Sequence, residues 1–226
     1  MEYMHAHPWM LFFITWSIML VSMLIMNHQA RNFYTLDVVL RQFSIFQLEF
    51  PASNKELPNL IQGIYALPEP MRTRSLRALK GQLYTDFLYM PGVYLSIHIL
   101  CHEVSRTQHG WGFALFTFLS MGQFISWLCD IIENFYLLRK IRRRGPAISR
   151  LEHKAYQLME LVKWGLALAG AGLGASMLVY AWLLGTVRAE SLRVLGWVIV
   201  ATVVYGVLNA VFNKQREPDN AALQVK

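Results

Sequence analysis

Six polar residues between positions 120 and 134, Ser120, Gln123, Ser126, Asp130, Glu133 and Asn134, stand in an otherwise apolar run. At about 100° per residue they share one face of a helix. A carboxylate facing lipid near the bilayer centre costs about 2.5–3.5 kcal/mol, so the spacing predicts a helix that turns this face toward protein or water. Asp130 is the deepest acid, about one turn inside Asn134.

Three further residues are expected at the same level: Asp86 at the start of a second apolar run, Lys163 at the start of a fourth, and Asn209 in a fifth. Neighbouring carboxylates in a poorly hydrated site cannot all ionise cheaply, so such a group holds a proton or draws a cation. The chemistries open to it are proton relay, binding of a cation or lipid headgroup, and acid/base catalysis. A structural reading stands beside them, in which Asp130 or Asp86 pairs with Lys163 or a nearby arginine and fixes helix register.

His98 and His102, four apart, form a second constellation, with Glu103 and His109 close by and His5 and His7 on the same side. A metal needs three or four ligands in defined geometry, and this helical pair supplies two. His98 also falls about 120° around the helix from Asp86, which separates the two sites. HExxH, P-loop and GxSxG motifs are absent, and no cofactor is implied. Cys101 and Cys129 make no CxxC or zinc spacing and read as small buried side chains.

The elements that must position these residues are apolar runs at 9–26, 83–100, 111–138, 162–185 and 194–212, each near the length needed to span a bilayer. The first lacks a basic leader and a small-x-small cleavage site, so it reads as an uncleaved span. Pro91-Gly92 interrupts the second, predicting a kink and a freed carbonyl near Phe87. In the fourth, Ala167, Ala171 and Ala175 recur every four residues, as do Gly170 and Gly174, which suits close helix approach. Thr202, Tyr205, Asn209 and Asn213 make a weaker polar stripe on the fifth.

Segment 27–80 is too polar to cross. Its amphipathic part, with Leu36, Val39, Leu40, Phe43, Phe46 and Leu48 among Asp37, Arg41, Gln42 and Glu49, is expected to lie in the interface. Ser53 and Glu56 suggest a capping box for a helix toward Ala66, and residues 71–80 form a basic helical stretch holding Arg72, Arg74, Arg77 and Lys80. That stretch reads as a solvated orientation signal, with anionic-lipid binding as the sharper alternative.

Composition agrees with this layout. The 226 residues are 55% hydrophobic and 15% charged, with a formal charge of +7, against about 25% charged in soluble domains. Segments 27–80 and 139–154 hold seven Lys and Arg each of the chain's 21. Five spans put both on one side, which the positive-inside rule makes cytoplasmic. Because the cations flank apolar spans, nucleic acid is excluded as a partner. The fold class is therefore all-α: a polytopic transmembrane bundle of about five spans over residues 1–213, with a flexible tail at 214–226.

The expected setting is the cytoplasmic membrane, amino terminus outside and carboxyl terminus inside. The bilayer is the expected partner, with a homo-oligomer or larger complex beside it, since five spans are few for a self-contained transporter. The functional expectation is a transport-type or accessory protein whose acidic site binds a proton, cation or lipid headgroup. The alternatives are a lipid-modifying enzyme using Asp86, Asp130 and Glu133, and a structural subunit of a membrane complex.

Overall fold

The computed structural model describes residues 8–186 and 189–214. His5, His7 and the tail beyond Lys214 lie outside them. The chain is 80% helical. Helix α1 (Pro8–Ala30) starts on a proline, whose fixed φ suits the first helical position. A small antiparallel hairpin follows, β1 (Tyr34–Leu36) and β2 (Leu40–Gln42), in the register Thr35↔Arg41. Short helices α2 (Phe46–Glu49) and α3 (Glu56–Ala66) complete a cap over one end of the molecule. Four long helices make the rest: α4 (Met71–Ser105), α5 (Trp111–Arg142), α6 (Arg150–Leu183) and α7 (Ala189–Lys214).

Side-chain pairs fix the direction of each long helix. Thr15 Oγ1 meets Ser96 Oγ at 2.8 Å, and a Cβ on Gly81 would meet Gln29, so α1 and α4 are antiparallel. His98 lies beside Ser120 while Asn134 reaches Leu83, which sets α5 against α4. Gln123 donates to Leu166 O and Ser126 to Lys163 O, which sets α6 against α5. Trp16 with Thr202, and Asn27 with Asn209, make α7 parallel to α1. The five long helices therefore alternate in direction along the chain.

Among the described residues, four helices are long and apolar enough to cross a membrane: Pro8–Ala30, Trp111–Arg142, Arg150–Leu183 and Ser191–Phe212. The fifth expected span, 83–100, lies within α4 and falls short in hydropathy. Its position explains why. Helix α4 packs on α1, α5 and α6, burying Met90, Gly92, Tyr94, Ser96, Ile97, Ile99 and Leu100 among them. A helix enclosed by protein can carry polar side chains that a lipid-facing helix cannot.

Three local expectations change. Helix α4 runs unbroken through Pro91. Gly92 instead serves packing, since a Cβ there would lie 2.7 Å from Met19 N. The capping box does not form: the N-cap of α3 is Lys55 with no side-chain cap, and Glu56 Oε2 accepts from Ala52 N at 2.5 Å instead of from Ser53 N. Segment 27–80, whose amphipathic part is expected in the interface, folds on itself. Phe33, Phe43, Leu48, Leu57, Leu60, Ile61 and Ile64 form a core that packs on Leu79, Leu83, Leu137 and Ile141.

A second apolar cluster, around Phe12, Ile97, Leu100, Val104, Phe116 and Leu119, fills the opposite end. Small residues permit its closeness. Cβ atoms on Gly170 and Gly174 would meet Ile97 at 2.7 Å and Leu100 at 3.0 Å. Ala175 of the same series is exposed.

Candidate functional site

Between the two apolar clusters lies a polar layer centred on Lys163. This lysine sits on α6, its side chain 4% exposed. Its ammonium pairs with Glu133, lies 2.8 Å from Glu160 Oε2 and lies 3.4 Å from Asp130 Oδ1. Three carboxylates thus surround one ammonium, which donates hydrogen bonds to Asp130 and Glu133 and faces Glu160 as an ion pair. Glu160 precedes Lys163 by three residues on the same helix, while Asp130 and Glu133 arrive from α5.

Each acid has further company. Tyr94 on α4 donates its hydroxyl to Asp130 Oδ2 at 2.8 Å. The Tyr156 hydroxyl lies 3.4 Å from Glu133 Oε1 and 3.2 Å from Leu48 O in the cap. Glu49, at the end of α2, accepts from Trp164 Nε1 at 3.2 Å. Glu49, Glu133 and Glu160 each place an oxygen within 4.8 Å of the others. Glu160 is fully buried, and neither of its carboxylate oxygens has a hydrogen-bond partner among the described residues, Oε2 meeting Lys163 as an ion pair.

The stripe on α5 is buried along its whole length, from Ser120 and Gln123 through Ser126 to Asp130, Glu133 and Asn134. Its members do different things. Asn134 Nδ2 donates to Leu83 O at 3.1 Å and to Asp86 Oδ2 at 2.8 Å, tying α5 to α4. Gln123 Nε2 bridges Leu119 O and Leu166 O, tying α5 to α6. Asp86 is thus held through Asn134, while Asp130 and Glu133 face Lys163 directly.

Asn209 sits elsewhere. It lies in the seam between α1 and α7, accepting from Asn27 Nδ2 at 3.3 Å beside Tyr205. Depth along the bundle placed it near the acids, but α7 docks on α1. His98 and His102 stack with ring centroids 6.0 Å apart, and His98 Nδ1 lies 2.8 Å from Ser120 Oγ. Among the described residues, these two histidines belong to no group of three convergent ligands; Glu49, Glu133 and Glu160 do.

Sequence reasoning passed over four members of the layer: Glu49, Tyr94, Tyr156 and Glu160. Glu160 carried a readable signal, its (i, i+3) spacing from Lys163. Glu49 carried none, since it arrives from the cap.

Four carboxylates around one ammonium leave an excess of negative charge if all are ionised, which a low-dielectric interior does not tolerate. Such a cluster carries protons or draws a further cation. Glu49 is the member on the cap side, only half-buried. Burial pushes its carboxyl up to about 7, Lys163 opposes the shift, and Glu160 and Asp130 add to it.

No family model, curated protein or solved structure matches the chain.

Proposed function

We propose that this chain is a multi-pass membrane protein of transport type, whose acid–lysine cluster takes up and releases a proton or another small cation. The observation that carries the reading is the convergence of Glu49, Asp130, Glu133 and Glu160 on Lys163 in an enclosed interior. Lys163 acts as the resident counter-cation. A group that gains a proton near neutrality at the cap side, Glu49, is the entry point, and the oxygens of Glu133 and Glu160 next to it are the way in.

A polar file continues from there along α5. Asp130, Ser126, Gln123 and Ser120 span about 15 Å of helix, and Ser120 contacts His98, which stacks on the exposed His102. In this reading five helices cross the bilayer, α4 within the bundle. The two basic segments share the cytoplasmic side, which puts the amino terminus outside. Their mutual contacts support that placement: Asn54 Nδ2 donates to Ile148 O, and Gln62 Nε2 to Gly145 O.

The test is ion flux in liposomes carrying a trapped pH indicator. Asp130→Asn and Glu133→Gln should abolish flux driven by an imposed potential while the thermal unfolding midpoint stays close to the parent's. Flux unchanged in both variants rejects the relay.

A second reading has its own observation: Tyr94, Asn134 and Lys163 partner the acids of the layer. On that account the layer fixes helix register in a structural or accessory subunit. It requires an inert parent protein in the flux assay and variants that lose stability.

A further inference from the structure

The cap side of the bundle carries a basic cleft that the acid–lysine reading does not use. The cleft has a volume of about 460 Å3, lined by His28, Gln29 and Asn32 from the end of α1 and by Thr73, Arg74 and Arg77 from the first turns of α4. A second hollow of about 470 Å3 continues it along α4 past Arg77 and Lys80 to Tyr84. Among the described residues, no acidic side chain lines either hollow. Among the described residues no carboxylate pairs with Arg74, Arg77 or Lys80. The neighbouring Glu69 is engaged by Arg72 at 2.7 Å.

The order of residues along this face is informative. Arg74, Arg77, Lys80, Tyr84 and Leu88 recur every three or four positions, so they share one side of α4. Cations come first. Tyr84, 63% exposed, follows about one turn further in, and then Leu88, 51% exposed. Cation, aromatic rim and open apolar surface are the layers of an amphiphile seen end-on: phosphate, interface and acyl chain. The amides of Gln29 and Asn32 add hydrogen-bonding groups suited to headgroup hydroxyls.

We infer that this cleft binds the phosphate headgroup of an anionic phospholipid, with Arg74 and Arg77 as the phosphate ligands and the Tyr84–Leu88 face receiving the acyl chain. The inference rests on α4 standing in a bilayer but not on any role for Lys163 or the acids. Failure of the flux assay therefore leaves it intact.

Native mass spectrometry of the protein, purified in mild detergent and mixed with equal amounts of phosphatidylglycerol and phosphatidylcholine of matched chains, tests it. The parent should retain phosphatidylglycerol preferentially. Each arginine removed should reduce that preference about fivefold, so Arg74→Gln/Arg77→Gln should approach parity. Arg142→Gln/Arg143→Gln, an exposed pair on the same side, should leave it unchanged.

An equal loss in both double variants would mean general surface charge and would overturn the site. Displacement of the lipid by millimolar inorganic phosphate would reassign the cleft to a free anion and equally overturn the lipid assignment. Arg74 and Arg77 are exposed and, among the described residues, pair with no carboxylate, so the variants should unfold at the parent's temperature. If they do not, Arg74→Lys/Arg77→Lys, which keeps the charge, should restore both fold and preference, and failure to restore preference counts against the proposal.

Discussion

Lys163 is the residue on which the polar layer balances. Replacing it with methionine leaves Asp130, Glu133 and Glu160 facing one another without a cation, and stripping one partner from a buried ion pair costs about 3–5 kcal/mol. Denaturant unfolding of Lys163→Met in detergent should show that loss, and adding Glu160→Gln should recover part of it; a variant as stable as the parent contradicts the arrangement. Glu49 makes a prediction in pH. Its folded pKa of about 7 lies above its ordinary 4.5, so the folded protein holds the proton more tightly than the unfolded chain. This group's contribution to stability is therefore greatest below about 4.5 and declines as pH rises through 7. The groups facing it are Lys163, Glu133, Glu160, Asp130 and the Trp164 indole. Melting temperatures measured from pH 5 to 8 should fall less steeply in Glu49→Gln than in the parent, and identical slopes would show that Glu49 does not titrate in this window.

At the level of elements, close packing at glycine decides which helices can meet. A Cβ on Gly92 would press on the Met19 backbone, which cannot step aside as a side chain can, whereas Gly165 has open space around it. Gly92→Ala should destabilise by about 1–3 kcal/mol and Gly165→Ala hardly at all, read from thermal unfolding; equal effects would mean that α1 and α4 are not in contact there. The same elements show where sequence is legible. The face of α5 could be read because its polar residues repeat at helical spacing against an apolar background. For α6 the sequence marked only the apolar run 162–185; the helix itself begins at Arg150, in polar turns that hydropathy does not mark, and Glu160 lies in those turns. The hairpin and the cap's own core were not legible, since Phe33, Leu48 and Ile64 meet only through tertiary packing. Asn209 was misjudged because a periodic pattern gives depth along a helix but not which neighbour it will face.

For the whole molecule, alternation of the five long helices predicts sidedness. In a chain with Cys101 and Cys129 replaced by alanine, Lys55→Cys and Arg143→Cys should react with an impermeant maleimide only after cells are opened, and His109→Cys should react in intact cells. Reaction of all three from outside would dismantle the proposed topology. The cap gives this architecture one more property. Every other acid around Lys163 is mounted on a long helix, but Glu49 hangs from a four-residue helix. That helix is anchored by Leu48, whose carbonyl accepts from Tyr156, and by Pro51, whose carbonyl accepts from Gln157. A small displacement of the cap would withdraw one negative charge from the layer while the bundle stayed still. The charge state of the interior is thus partly set from outside it, by a short segment that is not one of the long helices.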